Sequence, residues 1–427
     1  MEDFVEKLDR IEPPGQMISF LTDPLLQKYV DLKPSLITST RIDLWLALCL
    51  EEQYEGERLG NGDSQYLSEV LNGLLKHAQY IKALHPTVLA FLKEYLLLWN
   101  GQDNVDTILE LLSYVPIETY DDVFSAFLSP VERALGAHGI PAFTRLFDFY
   151  TALVQHQVSI ATTQENEGAS VGSQAFSDLI EHVTTLSTSV LLSLPNHSSD
   201  SLLSSILTFY ELLSTSSRPP TVLIHLPPMR LIYLLAQSPS STTLSRICGV
   251  VGSYKSAFDQ HPGRVRDFYS TPITDSLNFC LRDIFNLFWK KAALHAEERK
   301  SVGLYCDPAL RTILQEYLSS VDREYAMGSA FGVSNNTWLA SLSATAWRAM
   351  EEGEINREGY DRTAIRYHRG PVSERSLDVL RRNGGVNVDW DGLGGYKVFV
   401  LRWLEERGLG GIKDVLVVTV PKLKGKI

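Results

Sequence analysis

Apolar residues along most of this chain recur at three- and four-residue intervals, the spacing that lines one face of an α-helix. In QYLSEVLNGLLKHAQYIKAL, Leu67, Val70, Leu71, Leu74, Leu75 and Ala78 make one broad apolar stripe. His85-Pro86 follows, and Pro86 suits the first position of the next helix because its missing N–H would have no partner there. That helix, TVLAFLKEYLLLW, is apolar around most of its circumference and so must be covered on two sides. Comparable segments are predicted at about 15–31, 37–52, 103–115, 141–157, 174–192, 199–216, 226–238, 240–260, 272–292, 308–326 and 335–351. Short connections rich in Pro, Gly, Asn and Asp separate them.

Successive helices of this length with short joints predict an all-α fold, an α-solenoid of degenerate HEAT-like repeats ending in a small C-terminal module. No fixed-period signature of tetratricopeptide or ankyrin type is present. Four blocks follow from the changes in pattern. Residues 1–161 are an acidic helical-repeat block, 162–177 a polar linker or loop around TTQENEGASVGSQ, 178–356 a second helical block, and 357–427 an Arg/Gly-rich module. Within the last block NGGVNVDWDGLGG is a candidate hairpin. The β-branched run Val415, Val417, Val418, Thr419, Val420 fits either a strand or a last buried helix.

Charge sharpens this division. The chain of 427 residues carries a net charge of −12, yet residues 1–229 hold 12 Lys+Arg against 29 Asp+Glu while residues 230–427 hold 27 against 22. A polyanion would therefore meet the second half. Hydrophobic residues at 44% and charged residues at 21% are ordinary for a globular protein. No apolar run reaches the roughly 20 residues of a membrane span, and MEDFVEKLDRIEPP has no signal-peptide core, so the chain is expected inside the cell. Cys49, Cys248, Cys280 and Cys306 are scattered without a CxxC pair, which predicts buried thiols in a reducing compartment.

Catalytic patterns are missing. The sequence contains no HExxH, GxGxxG or GxxxxGK[ST], and GVVGSYK at 249–255 has the wrong spacing for a phosphate loop while Tyr254 and Phe258 continue an apolar stripe. No enzyme activity, cofactor, metal or small-molecule substrate is predicted. Two groups of residues remain as candidate contact sites. Arg362, Arg366, Arg369, Arg375, Arg381 and Arg382 lie within 21 residues beside His368 and Tyr367, a combination suited to phosphate contact, although Glu374 and Asp378 could neutralise part of it. Trp289, followed by Lys290 and Lys291, ends an apolar helix face of Leu277, Cys280, Leu281, Ile284, Leu287 and Phe288. Trp289 is either part of the core or a partner anchor.

An ordered set of segments carries a resemblance. EPPGQMISFLTDPLLQKYVDLKPS, PPMRLIYLLAQSPSSTTLSRICGVVGSYKSAFD, SLNFCLRDIFNLFWKKAAL, HRGPVSERSLDVLRRNGGVNVDW and YKVFVLRWLEERGLGGIKDVL resemble, in order, stretches of the C-terminal half of the centromere protein I family in its fungal form. The GLGG before Tyr396 is longer than the family's usual turn. The resemblance implies a nuclear scaffold of the inner kinetochore, in the constitutive centromere-associated network. It implies partnership with centromere proteins H, K and M and the L–N subcomplex near centromeric DNA, and a role in kinetochore assembly and chromosome segregation. A first helical half would precede this chain in the family, so Phe4, Leu8, Ile11 and Phe20 are expected to be left exposed. The rival class is a helical-repeat adaptor of nuclear transport or vesicle coats.

Overall fold

The computed structural model describes residues 21–32, 36–59, 64–163, 174–194, 199–216, 223–290, 294, 306–321, 331–392, 394–420 and 423. Among them every regular element is helical and no strand occurs. Phe4, Leu8, Ile11 and Phe20 lie outside the described residues. The chain divides into two compact units, Met1–Val183 and Thr184–Ile427.

The first unit contains α1 (Pro24–Leu32), α2 (Leu36–Leu59), α3 (Ser64–Ile81), α4 (Pro86–Tyr95), α5 (Val105–Leu112), α6 (Tyr120–Val123), a π-helical turn (Phe124–Leu128), α7 (Ser129–Gly136) and α8 (Ile140–Thr163). Many contacts join a helix to one two or three places along, α2 to α4, α3 to α5 and α5 to α8. Layered helices give this pattern, because each covers the apolar stripe its neighbour leaves open. The α3 stripe is buried at Leu67, Val70, Leu71, Leu74 and Ala78, as its spacing requires. Pro86 opens α4, with the His85 imidazole accepting the Thr87 N–H at 3.3 Å.

The helices between 120 and 136 escape the sequence pattern. Buried Val123, Leu128, Val131 and Leu135 are spaced five, three and four apart, because the π turn inserts one extra residue into the stripe. Pro130 adds a false break signal, since it sits at the start of α7, where a missing N–H costs little. Tyr150 on α8 donates to Glu132 at 2.5 Å, and the same carboxylate oxygen lies 2.6 Å from His182 Nε2, which ties α7 and α8 to α9 (Gln174–Ser193) within this unit.

The second unit contains α10 (Asp200–Ser216), α11 (Met229–Ala236), α12 (Ser241–Asp259), α13 (Val265–Phe268), α14 (Thr271–Phe288), α15 (Pro308–Val321), α16 (Ala340–Glu358), α17 (Glu374–Arg382), α18 (Tyr396–Glu405) and α19 (Gly411–Thr419). α12 is its axis and touches α10, α11, α14 and α19. The last of these contacts is the closest. A Cβ on Gly249 would meet Gly411 Cα at 3.5 Å, and one on Gly252 would meet Val415 Cα at 3.2 Å, so two backbones cross where side chains are absent. The phosphate-loop look-alike is therefore a helix-crossing surface. Ile412, Val415 and Leu416 are buried in it, which makes the β-branched ending helical despite its strand propensity.

Among the described residues of NGGVNVDWDGLGG no hairpin forms. The Asp389 and Trp390 carbonyls instead accept the N–H groups of Tyr396 at 2.8 Å and Lys397 at 3.2 Å, donors that the first turn of α18 cannot satisfy internally. The segment is a cap. All four cysteines are free and buried, and no described helix is long and apolar enough to cross a membrane.

Candidate nucleic-acid interface

The arginine-rich segment begins where α16 ends. Gly359 takes the left-handed conformation (φ 69°) that closes the helix, its N–H bonding to the Ile355 carbonyl. From there to Ser373 the chain has no regular structure, and three contacts fix its course. Arg362 binds Glu352 and, at 2.8 Å, Asn356, both on α16. The His368 N–H donates to the Glu351 carboxylate at 2.8 Å. The Arg366 N–H reaches the Gly384 carbonyl at 3.4 Å, joining the segment to the turn after α17.

Each contact has a sequence cause. Glu351 is on the buried side of α16, where burial pushes its carboxyl up while the bond from His368 pulls it down. Burial also lowers the His368 imidazole, whose Nε2 lies 2.8 Å from Ser376 Oγ and whose ring meets Trp347 edge-on. Ser373 and Ser376 form a reciprocal cap that starts α17. At the other end of that helix, a Cβ on Gly385 would strike Leu380 at 2.4 Å and the Arg366 carbonyl at 2.7 Å, so only glycine allows the two backbones to meet.

The six candidate arginines consequently divide. Arg362 is paired with Glu352, and Arg381 with Asp378 at 2.8 Å. Arg375 is exposed on α17 and already has a partner. Arg366, Arg369 and Arg382 are exposed, and no acidic partner is found for them among the described residues. The fold brings Arg366 next to the turn that Arg382 precedes, while the bond at His368 fixes the backbone beside Arg369.

Trp289 caps the C-terminal end of α14, half-buried. Lys397 explains its position. This lysine is only 4% exposed, with Nζ 3.9 Å from the Trp289 ring centroid, 2.9 Å from the Trp289 carbonyl and 3.0 Å from Asp391. Burial lowers the Lys397 ammonium from its ordinary value, and Asp391 draws it back up. Sequence reading missed Lys397 because a lysine at the start of a helix looks solvated; the tryptophans on either side of its contact, Trp289 and Trp390, were the available signal. Lys290 is exposed, its ammonium 5.3 Å from the Phe285 ring centroid, and Lys291 lies outside the described residues. Trp289→Ala should cost about 2 kcal/mol, less than the roughly 3–5 kcal/mol of a fully buried ring because part of this one already meets water. Urea denaturation measures this, and unchanged stability with lost partner binding would make Trp289 an anchor instead.

No group of His, Cys, Asp and Glu among the described residues could hold a metal ion. The arrangement is one of three exposed guanidinium groups with no acidic partner among the described residues, a chemistry suited to phosphate.

Comparison with known proteins gives a consistent answer. The Mis6 model of CENP-I matches residues 1–171. Centromere protein I of Gallus gallus is 22% identical over 352 residues, 75% of this chain and 45% of that protein. The Rattus norvegicus protein of the same name is 24% identical over 331 residues, 72% of this chain and 43% of that protein. The one from Mus musculus is 27% identical over 122 residues, 28% of this chain and 16% of that protein. The chain spans about half the length of the curated relatives it matches. The helical fold, the ordered resemblance of its segments and these matches agree that the chain is similar to centromere protein I.

Proposed function

We propose that this chain is a non-enzymatic scaffold of the inner kinetochore that presents Arg366, Arg369 and Arg382 to the DNA backbone. It is a centromere-associated protein of the nucleus and chromosome, the setting its relatives' name denotes. Partnership with centromere proteins H, K and M and the L–N subcomplex is the finer part of the proposal, drawn from the resemblance. One observation carries the DNA contact: three exposed guanidinium groups without acidic partners among the described residues, on a segment anchored by Glu351 and Gly384.

Affinity of this kind rests on neutralised phosphates, so it should be indifferent to base sequence and steep in salt. Three phosphate contacts give a log–log salt slope of about −3, at roughly 0.9 per contact. The triple variant R366E/R369E/R382E, measured in a reconstituted kinetochore assembly, should flatten that slope and weaken binding equally on unrelated sequences. Equal affinity and slope for wild type and variant would remove DNA from the proposal.

A further inference from the structure

The turn before α16 and the loop before α17 enclose a cavity of about 280 Å³ within the second unit. Ala340, Ala344 and Arg348 form one wall, because residues four apart share a face of α16. Val372, the Tyr396 ring and the Asn335 side chain line the rest. Two buried hydrogen bonds tie these walls together. Ser343 Oγ donates to the Val333 carbonyl at 2.8 Å and holds the turn on α16, while Tyr396 Oη donates to the Ser343 carbonyl at 2.8 Å and holds α18 there. The cavity is built into the fold.

Its lining specifies what it would take. Asn335 is only 7% exposed, and its Oδ1 is buried without a hydrogen-bond donor among the described residues. A buried acceptor left unmet is unfavourable, so an N–H entering from outside would find a ready partner. Around this amide the walls are mainly methyl groups and ring carbons, and the volume suits one aliphatic or aromatic side chain rather than a whole cofactor. Arg348 is exposed, no carboxylate lines the space, and no acidic residue pairs with Arg348 among the described residues. Its guanidinium calls for a carboxylate on the visitor. A backbone N–H, an apolar side chain and a neighbouring carboxylate are what an extended acidic peptide carries side by side. A nucleic acid would bring a phosphate for Arg348 but no aliphatic group for Ala344 and Val372.

We propose that this cavity binds an extended, acidic peptide segment of a partner protein. One apolar side chain of the segment sits against Ala344 and Val372, an adjacent Asp or Glu meets Arg348, and a backbone N–H donates to Asn335 Oδ1.

Random peptides displayed on phage and selected on the full chain test this, with the consensus peptide then synthesised, labelled and titrated by fluorescence anisotropy. The consensus should place an acidic residue beside a large apolar one. R348E should raise its dissociation constant at least about tenfold by reversing the charge it meets. A344F should do the same by filling the space, and because Ala344 is exposed this variant should melt with wild type. Asn335→Ala should also weaken binding without lowering the melting temperature, since its Oδ1 gives up no internal bond; a purely structural amide would show the reverse. The triple variant R366E/R369E/R382E should stay within about threefold of wild type, which separates this cavity from the DNA-facing arginines. Selection without a consensus, or a peptide whose affinity ignores Arg348 and Ala344, would overturn the proposal. Duplex DNA that displaces the peptide and is itself lost in R348E would overturn it too, by assigning the cavity to nucleic acid.

Discussion

Raising the pH from 9 to 11 should unfold the second unit. Cys248 and Cys280 lie in its core, and burial pushes both thiols from 9.0 up to about 12. Tyr210, Tyr254 and Tyr396 are at most 1% exposed, and desolvation raises each phenol above its usual value of 10.0. Above the ordinary value the unfolded chain releases a proton that the folded chain keeps, so stability falls as pH rises. Each such group costs about 1.4 kcal/mol per pH unit. Two thiols over two units and three phenols over one amount to about 10 kcal/mol, within the roughly 5–15 kcal/mol that holds a domain together. Lys397, lowered by burial, acts in the opposite direction between its folded value and 10.5, but it is a single group. Circular dichroism against pH, under reducing conditions, should show a cooperative loss of helix in this window. Retained helix at pH 11 would show that the loss of stability is smaller than these shifts imply.

A second large effect is expected at the crossing of α12 and α19. Gly411→Val would place a Cβ 1.9 Å from the Ser245 carbonyl oxygen and 2.8 Å from the Gly249 nitrogen. Both obstacles are backbone, so no side-chain rotation relieves the clash and the helices must separate. Separation also removes the bond from the Gly411 N–H to Ser245 Oγ at 3.1 Å and wets Ile412, Val415 and Leu416. Overpacking of this kind costs about 3 kcal/mol or more. In a domain of this size that lowers the melting temperature by about 10 °C. Gly410→Ala is the control, since its Cβ would find nothing nearer than 3.6 Å and its φ of −72° suits any residue. Equal melting of the two variants would show that the crossing gives way more easily than its geometry implies.

Much of the fold was legible in the pattern of apolar positions. α3, α4, α10, α12 and α14 begin and end near where their stripes, prolines and polar breaks indicate, because a helix interior must bury one face and its ends must satisfy their own N–H and C=O groups. The stretch 120–136 was not legible. A π turn shifts the stripe by one residue, and a three- and four-residue template does not register it. The hairpin expected near 383–395 was a correct reading of turn residues with the wrong consequence, since its carbonyls serve the start of α18.

At the arginine cluster the sequence determined which residue types stand close together along the chain, and nothing about which of them are spent. Arg362 and Arg381 are held by Glu352 and Asp378, whereas Arg366, Arg369 and Arg382 have no acidic partner among the described residues, a distinction made by the course of the backbone across α16 and α17. Lys397 and Gly411 make the same point from the core. One is a buried ammonium over an indole 108 residues away along the chain, the other a glycine required by a backbone 166 residues away. Periodicity is a local property, and it settled that this chain is helical and which faces turn inward. Pairing of charges and close approach of backbones depend on residues distant in sequence, and only the tertiary structure brings those within reach.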